Sequence, residues 1–271
     1  MNEANRNPQQ IRHASLDGFT MAYREYGQGL PVVLLHGFCG SSGYWEQVLP
    51  QLGENVRVIA PDLRGHGHSG TPEEPCSVEK MAGDIRSLLD QLGVDKAVLL
   101  GHSLGGYIAL AFAEQYPERL LAFGLVHSTA LPDDETGKQN RLKSMEAIRQ
   151  DGIVPFVNNL TRKLFAPQHL DTMPEQVAAA NEIGYVTSPQ AAIHTLDAMR
   201  ARPDRRHVLR ETALPVLIVA GRHDQIVSVE KAFSVSGGHI KESILESAGH
   251  MGMMEAPQEL AQVILDFTRT L

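Results

Sequence analysis

Gly101-His102-Ser103-Leu104-Gly105-Gly106 follows the apolar run KAVLL and leads into a helical pattern, Leu104 to Tyr116. A serine set between glycines at a sharp strand-to-helix turn has its hydroxyl held clear of the sheet and its backbone at a helix N-terminus. That is the setting of a nucleophile. A serine hydroxyl attacks poorly near neutral pH, so it needs a neighbouring base, and the base needs an acid to hold its tautomer. Twelve histidines compete for the role of base, and position separates them. Two later apolar runs, PVLIVAGRHD (215–224) and ESILESAGH (242–250), end in Asp224 and His250. This gives the chain order Ser103, Asp224, His250. His36, His102 and His127 also end such runs, but two of them sit inside local turn motifs and the third precedes the acid. His66, His68 and His239 fall in loops, and Glu230 and Glu246 are the fallback acids. Acyl transfer further requires N–H donors where negative charge develops on the carbonyl oxygen. The Leu104 amide, next to the nucleophile, supplies one, and the Phe38 amide in His36-Gly37-Phe38-Cys39-Gly40 supplies the other. Cys39 has no base near it in sequence and reads as a small loop residue.

These side chains all stand at the ends of short apolar runs, which fixes the kind of scaffold that carries them. PVVLLHG (31–37), VRVIAPD (56–62), KAVLLGHS (96–103), LAFGLVHS (121–128) and the two runs above do not alternate polar with apolar residues. Strands of that kind are buried on both faces, as in a parallel sheet covered by helices. Helical patterns fall between them at Gly43–Leu52, Val78–Leu92 with Ser77 as N-cap, Leu104–Tyr116, Val229–Val235 and Pro257–Thr270. The rhythm predicts a doubly wound α/β sheet, whose ligands bind beyond the carboxyl ends of the strands. Gln10 to Tyr26 reads instead as an opening antiparallel hairpin turning at Asp17-Gly18. From Ser128 to Arg206 no strand-like run occurs. Thr172-Met173-Pro174-Glu175 fits a capping box and Ser188-Pro189 a capped helix start, so four or so helices are expected there. Residues 1–128 and 207–271 are accordingly assigned to the core and 129–206 to a helical lid.

Composition removes several function classes. The chain has 271 residues, 42 % hydrophobic and 21 % charged, which suits one folded domain with an insertion rather than a disordered chain. Its 24 basic and 32 acidic residues leave a net charge of −8 with no basic run, which speaks against nucleic acid as a partner. Two cysteines, Cys39 and Cys76, allow no four-cysteine metal cage, and the chemistry above requires neither metal nor organic cofactor. The polar opening MNEANRNPQQIRH lacks a signal-peptide core and no window is apolar enough for a membrane helix, so a cytoplasmic location is expected.

HGF at 36–38, DLRGHGHS at 62–69, GHSLGG at 101–106, GRHD at 221–224 and AGHMGMMEAP at 248–257 together resemble the α/β-hydrolase superfamily. The resemblance spans nearly the whole chain. Within the superfamily the sequence is most similar to small capped bacterial carboxylesterases and lactonases, including enol-lactone hydrolases. It implies a serine hydrolase with Ser103, Asp224 and His250 as its triad, Phe38 and Leu104 at its oxyanion hole, and a small ester or lactone as substrate. It also implies that Asp62 to Ser69 is chiefly a structural loop. Serine stands where haloalkane dehalogenases and related epoxide hydrolases carry aspartate and dienelactone hydrolases carry cysteine, which disfavours those chemistries. Carbon-carbon bond hydrolases and perhydrolases share the triad and stay open. So does a small-molecule sensor with slow turnover that signals through a protein partner. In the lid, Ile148, Val154, Phe156, Leu160, Leu164, Phe165, Ile183 and Met199 are read mainly as lid core; a minority of them, with Met251, Met253 or Met254, would favour a small apolar substrate group. Lys143, Arg162 and Lys163 are read as a solvated face rather than a carboxylate site, and apolar lid surface leaves a homodimer open.

Overall fold

The computed structural model describes residue 7 and residues 9–271. Residues 1–6 and 8 of the polar opening, on which the absence of a signal peptide was argued, lie outside the described residues. The strands are β1 (Ile11–Leu16), β2 (Phe19–Tyr26), β3 (Pro31–Leu35), β4 (Arg57–Pro61), β5 (Ala97–His102), β6 (Leu120–Val126), β7 (Val216–Gly221) and β8 (Ile240–Leu245). They form one eight-stranded sheet in the order β1-β2-β4-β3-β5-β6-β7-β8. The opening hairpin pairs antiparallel with itself and with β4, and every other pairing is parallel. This is the doubly wound α/β sheet that the unalternated runs imply, and β5 and β7 are buried at every position.

The two faces of the sheet are read off alternate residues. Val33, Leu35, Leu99 and Ile218 face a core shared with helices α2 and α3, whereas Val32, Leu34, Leu100 and Val219 face Trp45, Leu49, Leu260 and Ile264. In chain order the helices before β6 are α1 (Leu49–Leu52), α2 (Val78–Gln91) and α3 (Leu104–Gln115). Between β6 and β7 come α4 (Glu135–Asp151), α5 (Ile153–Leu164), α6 (His169–Thr172), α7 (Pro174–Tyr185), α8 (Pro189–Ala201) and α9 (Arg206–Glu211). The last three are α10 (Val229–Ala232), α11 (Gly252–Glu255) and α12 (Pro257–Thr268). No helix among the described residues is long and apolar enough to cross a membrane.

Local chemistry explains where the sequence reading holds and where it fails. Ser77 caps α2 by accepting the Lys80 amide, and Ser188 caps α8 with Pro189 in its first turn. The single helix expected over 43–52 is broken into a 3-10 turn at Ser42–Trp45 and the one-turn α1. Pro50 has no N–H to bond back to residue 46, so a continuous helix cannot pass through it. Thr172 does not open a capping box: its hydroxyl donates to Gln168 O inside α6, and α7 starts at Pro174 with no side-chain cap. Helix α10 stops at Ala232, short of the expected Val235. Strand β8 ends at Leu245, five residues before His250, and its Lys241 and Glu242 are exposed, as suits the edge of the sheet rather than a run buried on both faces.

The insertion carries no core of its own. Met145, Ile148, Val157, Leu196 and Met199 join the same cluster as the sheet and α3, while Val154 stands exposed. Where the chain returns to the sheet, the buried Arg205 pairs with Glu79 of α2 and, at 2.9 Å, with Glu114 of α3, and its amide donates to Ala130 O. These contacts tie the end of the insertion to its beginning and to both helices on that face. Charged hydrogen bonds of this kind contribute roughly 1.5–3 kcal/mol before solvent screening of the half-exposed acids. Arg205→Ala should therefore lower the unfolding free energy by about 1–3 kcal/mol in urea titration; an unchanged midpoint would show that the anchor carries no stability.

Candidate active site

Ser103 joins β5 directly to α3 with φ +51° and ψ −111°. A residue with a side chain is held in that left-handed region only when its surroundings leave no alternative. Here the ends are fixed from both sides. The Ser103 amide donates to Val126 O on β6, and its carbonyl accepts the Ser128 hydroxyl at 2.7 Å and the Gly106 amide at 2.9 Å. The turn is also too tight for side chains: a Cβ at Gly101 would lie 2.0 Å from Gly105 O, and one at Gly105 2.7 Å from Leu35 O. The half-buried serine thus sits at the carboxyl end of the sheet, at the N-terminus of α3.

Asp224 lies three residues past β7 and His250 five past β8, and the fold brings them together. His250 Nδ1 donates to Asp224 Oδ2 at 2.7 Å, with both side chains almost wholly buried. The other carboxylate oxygen accepts the Ile226 and Val227 amides at 2.7 and 2.9 Å. Burial alone would push the Asp224 carboxyl up, but His250 and His127 beside it outweigh that and hold it well below the usual carboxylate range. Asp224 stays ionised wherever His250 could serve as a base. The fallback acids are elsewhere: Glu246 pairs with Arg222 on the surface, and Glu230 is exposed.

The loop after β3 presses against the serine. A Cβ on Gly37 would lie 3.3 Å from Ser103 Cβ and 2.6 Å from His102 Nδ1. Among the described residues neither the Phe38 amide nor the Leu104 amide has a hydrogen-bond partner. Phe38 itself is buried and meets Phe156 of α5 edge-on, with ring centres 5.9 Å apart. Behind this loop, Asp62 accepts the Ser42 and His68 amides, and His36 Nε2 accepts the Leu63 amide at 2.8 Å. Residues 62–69 brace the loop, as the resemblance implies. The Cys39 thiol is buried and pushed well above its ordinary value by that burial, which leaves it unreactive.

Sequence reasoning assigned no role to Glu255, and the structure gives it a central one. Its buried carboxylate accepts the Gly249 and Met251 amides on either side of His250, and also the Ala166 amide and His169 Nδ1 from the insertion. The insertion grips the same loops twice more: Leu164 O accepts the His250 amide at 2.7 Å, and Phe165 O accepts Gln225 Nε2 at 3.0 Å. A lone acid five residues after the histidine, among methionine, glycine and alanine, was the available signal. Two further histidines surround the pair. His102 Nε2 donates to His250 O at 2.9 Å, and His127 approaches Asp224 Oδ2 at 3.7 Å. A cleft of about 660 Å³, lined in part by Tyr107, Asp133, Arg141, Arg202, Ile226 and Val227, opens between the start of the insertion and the Asp224 loop. Lys143, Arg162 and Lys163 face solvent, and Met251, Met253 and Met254 are packed into the core beneath the sheet.

The chain matches the alpha/beta hydrolase fold family over residues 31–257. It belongs to that family and is a hydrolase. It is 30 % identical to a thermophilic esterase from Thermogutta terrifontis, whose structure aligns with a TM-score of 0.91 over 96 % of this chain and 98 % of that one. It is 28 % identical over 240 residues to 3-oxoadipate enol-lactonase 2 of Acinetobacter baylyi, covering 87 % of this chain and 88 % of the relative. It is also 32 % identical over 262 residues to the dihydrolipoyllysine-residue acetyltransferase component of the acetoin cleaving system of Pseudomonas putida, covering 94 % of this chain and 68 % of that protein.

Glu255→Gln keeps the side chain's volume but turns an amide toward N–H groups that now find an acceptor. Breaking a buried, fully bonded charge of this kind costs about 3 kcal/mol. The variant should unfold at correspondingly lower urea and lose turnover because the segment around His250 loosens. Wild-type stability with wild-type turnover would remove Glu255 from the account.

Proposed function

We propose that the chain is a serine hydrolase that cleaves a small carboxylic ester or lactone through an acyl-enzyme on Ser103. The 2.7 Å bond between Asp224 and His250 carries the reading, because it commits Nδ1 of the imidazole to the acid and leaves Nε2 as the basic nitrogen. The esterase and enol-lactonase relatives support the substrate class. The helical insertion acts in this reading as a lid over the carboxyl ends of the strands.

His250 Nε2 accepts the Ser103 hydroxyl proton as Oγ attacks the substrate carbonyl carbon. The carbonyl electron pair moves onto oxygen, and the unpartnered Phe38 and Leu104 amides donate to that oxyanion. Collapse re-forms the carbonyl and breaks the bond to the alcohol oxygen, which takes the proton from His250. In a lactone the alcohol stays tethered to the acyl group. Water, deprotonated by His250, then attacks the acyl-enzyme, and the acid departs as Ser103 recovers its proton. Asp224 remains ionised throughout and stabilises the imidazolium. A positioned acid-base group is worth about 10² to 10⁴ in rate and one oxyanion donor about 10² to 10³.

Ser103→Ala tests the reading. It removes the nucleophile and leaves the fold's glycines and hydrogen bonds in place. Hydrolysis of p-nitrophenyl acetate and butyrate should fall by about 10³-fold or more, with an unchanged circular dichroism spectrum. Turnover at the wild-type rate by the folded variant would refute the reading.

A further inference from the structure

His127, the residue after β6, has φ +48°, an uncommon conformation for a residue with a side chain. Its amide still donates to Val219 O on β7 at 2.7 Å, so the backbone is fixed and the side chain is aimed inward. The side chain is fully buried, and among the described residues neither Nδ1 nor Nε2 has a hydrogen-bond partner. Buried polar atoms without partners cost stability, and an aliphatic or phenyl side chain would fill the same space without that cost. The direction of the ring supplies the reason for a histidine. Nδ1 stands 3.7 Å from Asp224 Oδ2, the oxygen that already accepts from His250 Nδ1. On the other side, a Cβ at Gly252 would lie 2.3 Å from Nε2, so the ring fits only because α11 begins with glycine.

We propose that His127 is a positioning residue for the hydrolytic reaction, directing an Nδ1–H at Asp224 Oδ2 and sharing that oxygen with His250. The inference rests on the serine-hydrolase reading above. Asp224 Oδ1 is held by two backbone amides, so Oδ2 alone faces the base. A second donor on Oδ2 fixes its direction and divides the negative charge that stabilises the His250 imidazolium. The 3.7 Å separation is longer than a hydrogen bond, and hydrogen bonds in a resting site are often long and tighten in the substrate complex.

The ionisable groups facing His127 are Asp224 on the loop after β7, His250 on the loop before α11 and His102 at the end of β5, whose ring lies 6.1 Å away. Burial and the two neighbouring histidines hold His102 well below its ordinary value, and Asp224 is held low as well. Neither changes charge on the acid side of the activity profile. Removal of the His127 donor leaves the charge on Oδ2 undivided, and that charge then holds the imidazolium formed in the reaction more strongly, so the acid limb moves upward.

The test compares kcat/KM against pH for p-nitrophenyl butyrate in wild type, His127→Phe, His127→Asn and Ser103→Ala. Phenylalanine removes the donor; asparagine keeps an N–H at the position of Nδ1 and tolerates the left-handed backbone. The acid limb of His127→Phe should move up by about 0.5–1 pH unit, and that of His127→Asn should stay with wild type. A residue that merely fills the core would leave the limb of His127→Phe where it was, and that result overturns the inference while Ser103 dependence stands. Activity that survives Ser103→Ala overturns the serine-hydrolase reading and this inference with it. Should His127→Phe fail to fold, the histidine ¹⁵N–¹H spectrum of wild type, with His127 assigned by its loss in His127→Asn, decides: a proton on Nδ1 supports the inference, and a bare Nδ1 overturns it.

Discussion

The structure depends on one backbone constraint, a serine held at φ +51° between the central strand and the helix packed on it. That conformation costs roughly 1–2 kcal/mol for a residue with a side chain, and no local gain offsets it. It survives because β5 is fully buried between β3 and β6, and because α3 runs back along the sheet at van der Waals contact. Gly101 and Gly105 have no room for a side chain, so the strand and helix cannot separate to relax the turn. The strain is held by the packing of the whole core. What it yields is a half-buried serine at a helix N-terminus, beside two amides that have no hydrogen-bond partner among the described residues.

The second organising feature is that the insertion and the segment carrying His250 are bonded together. Three backbone atoms at the end of α5, the Leu164 and Phe165 carbonyls and the Ala166 amide, are bonded to the His250 and Asp224 loops or to Glu255. Glu255 accepts from both sides of His250 with the same carboxylate. A shift of the insertion therefore moves the segment that carries His250. This couples the position of the insertion to that of His250 through backbone hydrogen bonds.

Much of this was legible from the sequence because it is written in local chemistry. Unalternated apolar runs mark strands buried on both faces, glycines around Ser103 mark the tight turn, and serine caps mark helix starts. The order of the apolar runs pointed to Asp224 and His250, and the structure joins those two by a hydrogen bond, although β8 ends five residues before His250. What was not legible depends on tertiary partners. Glu255 meets Ala166 across 89 positions, and no spacing rule connects them. His127 looked like one more polar strand end, since its two empty ring nitrogens and its approach to Asp224 exist only once β6 and β7 are adjacent. Thr172 and the 43–52 segment failed in the opposite sense, where a valid local signal lost to a neighbouring carbonyl or a proline.

The central claim is that Ser103 is a nucleophile activated by its surroundings, and covalent trapping reads it most directly. A fluorophosphonate forms a bond from serine Oγ to phosphorus with loss of fluoride, and it does so quickly only where a base and an oxyanion hole assist. The protein treated with one equivalent and digested for peptide mass spectrometry should carry a single adduct on Ser103, formed in step with the loss of ester hydrolysis. A protein that goes on hydrolysing esters with Ser103 unmodified, or that is inactivated through another residue, would contradict the account.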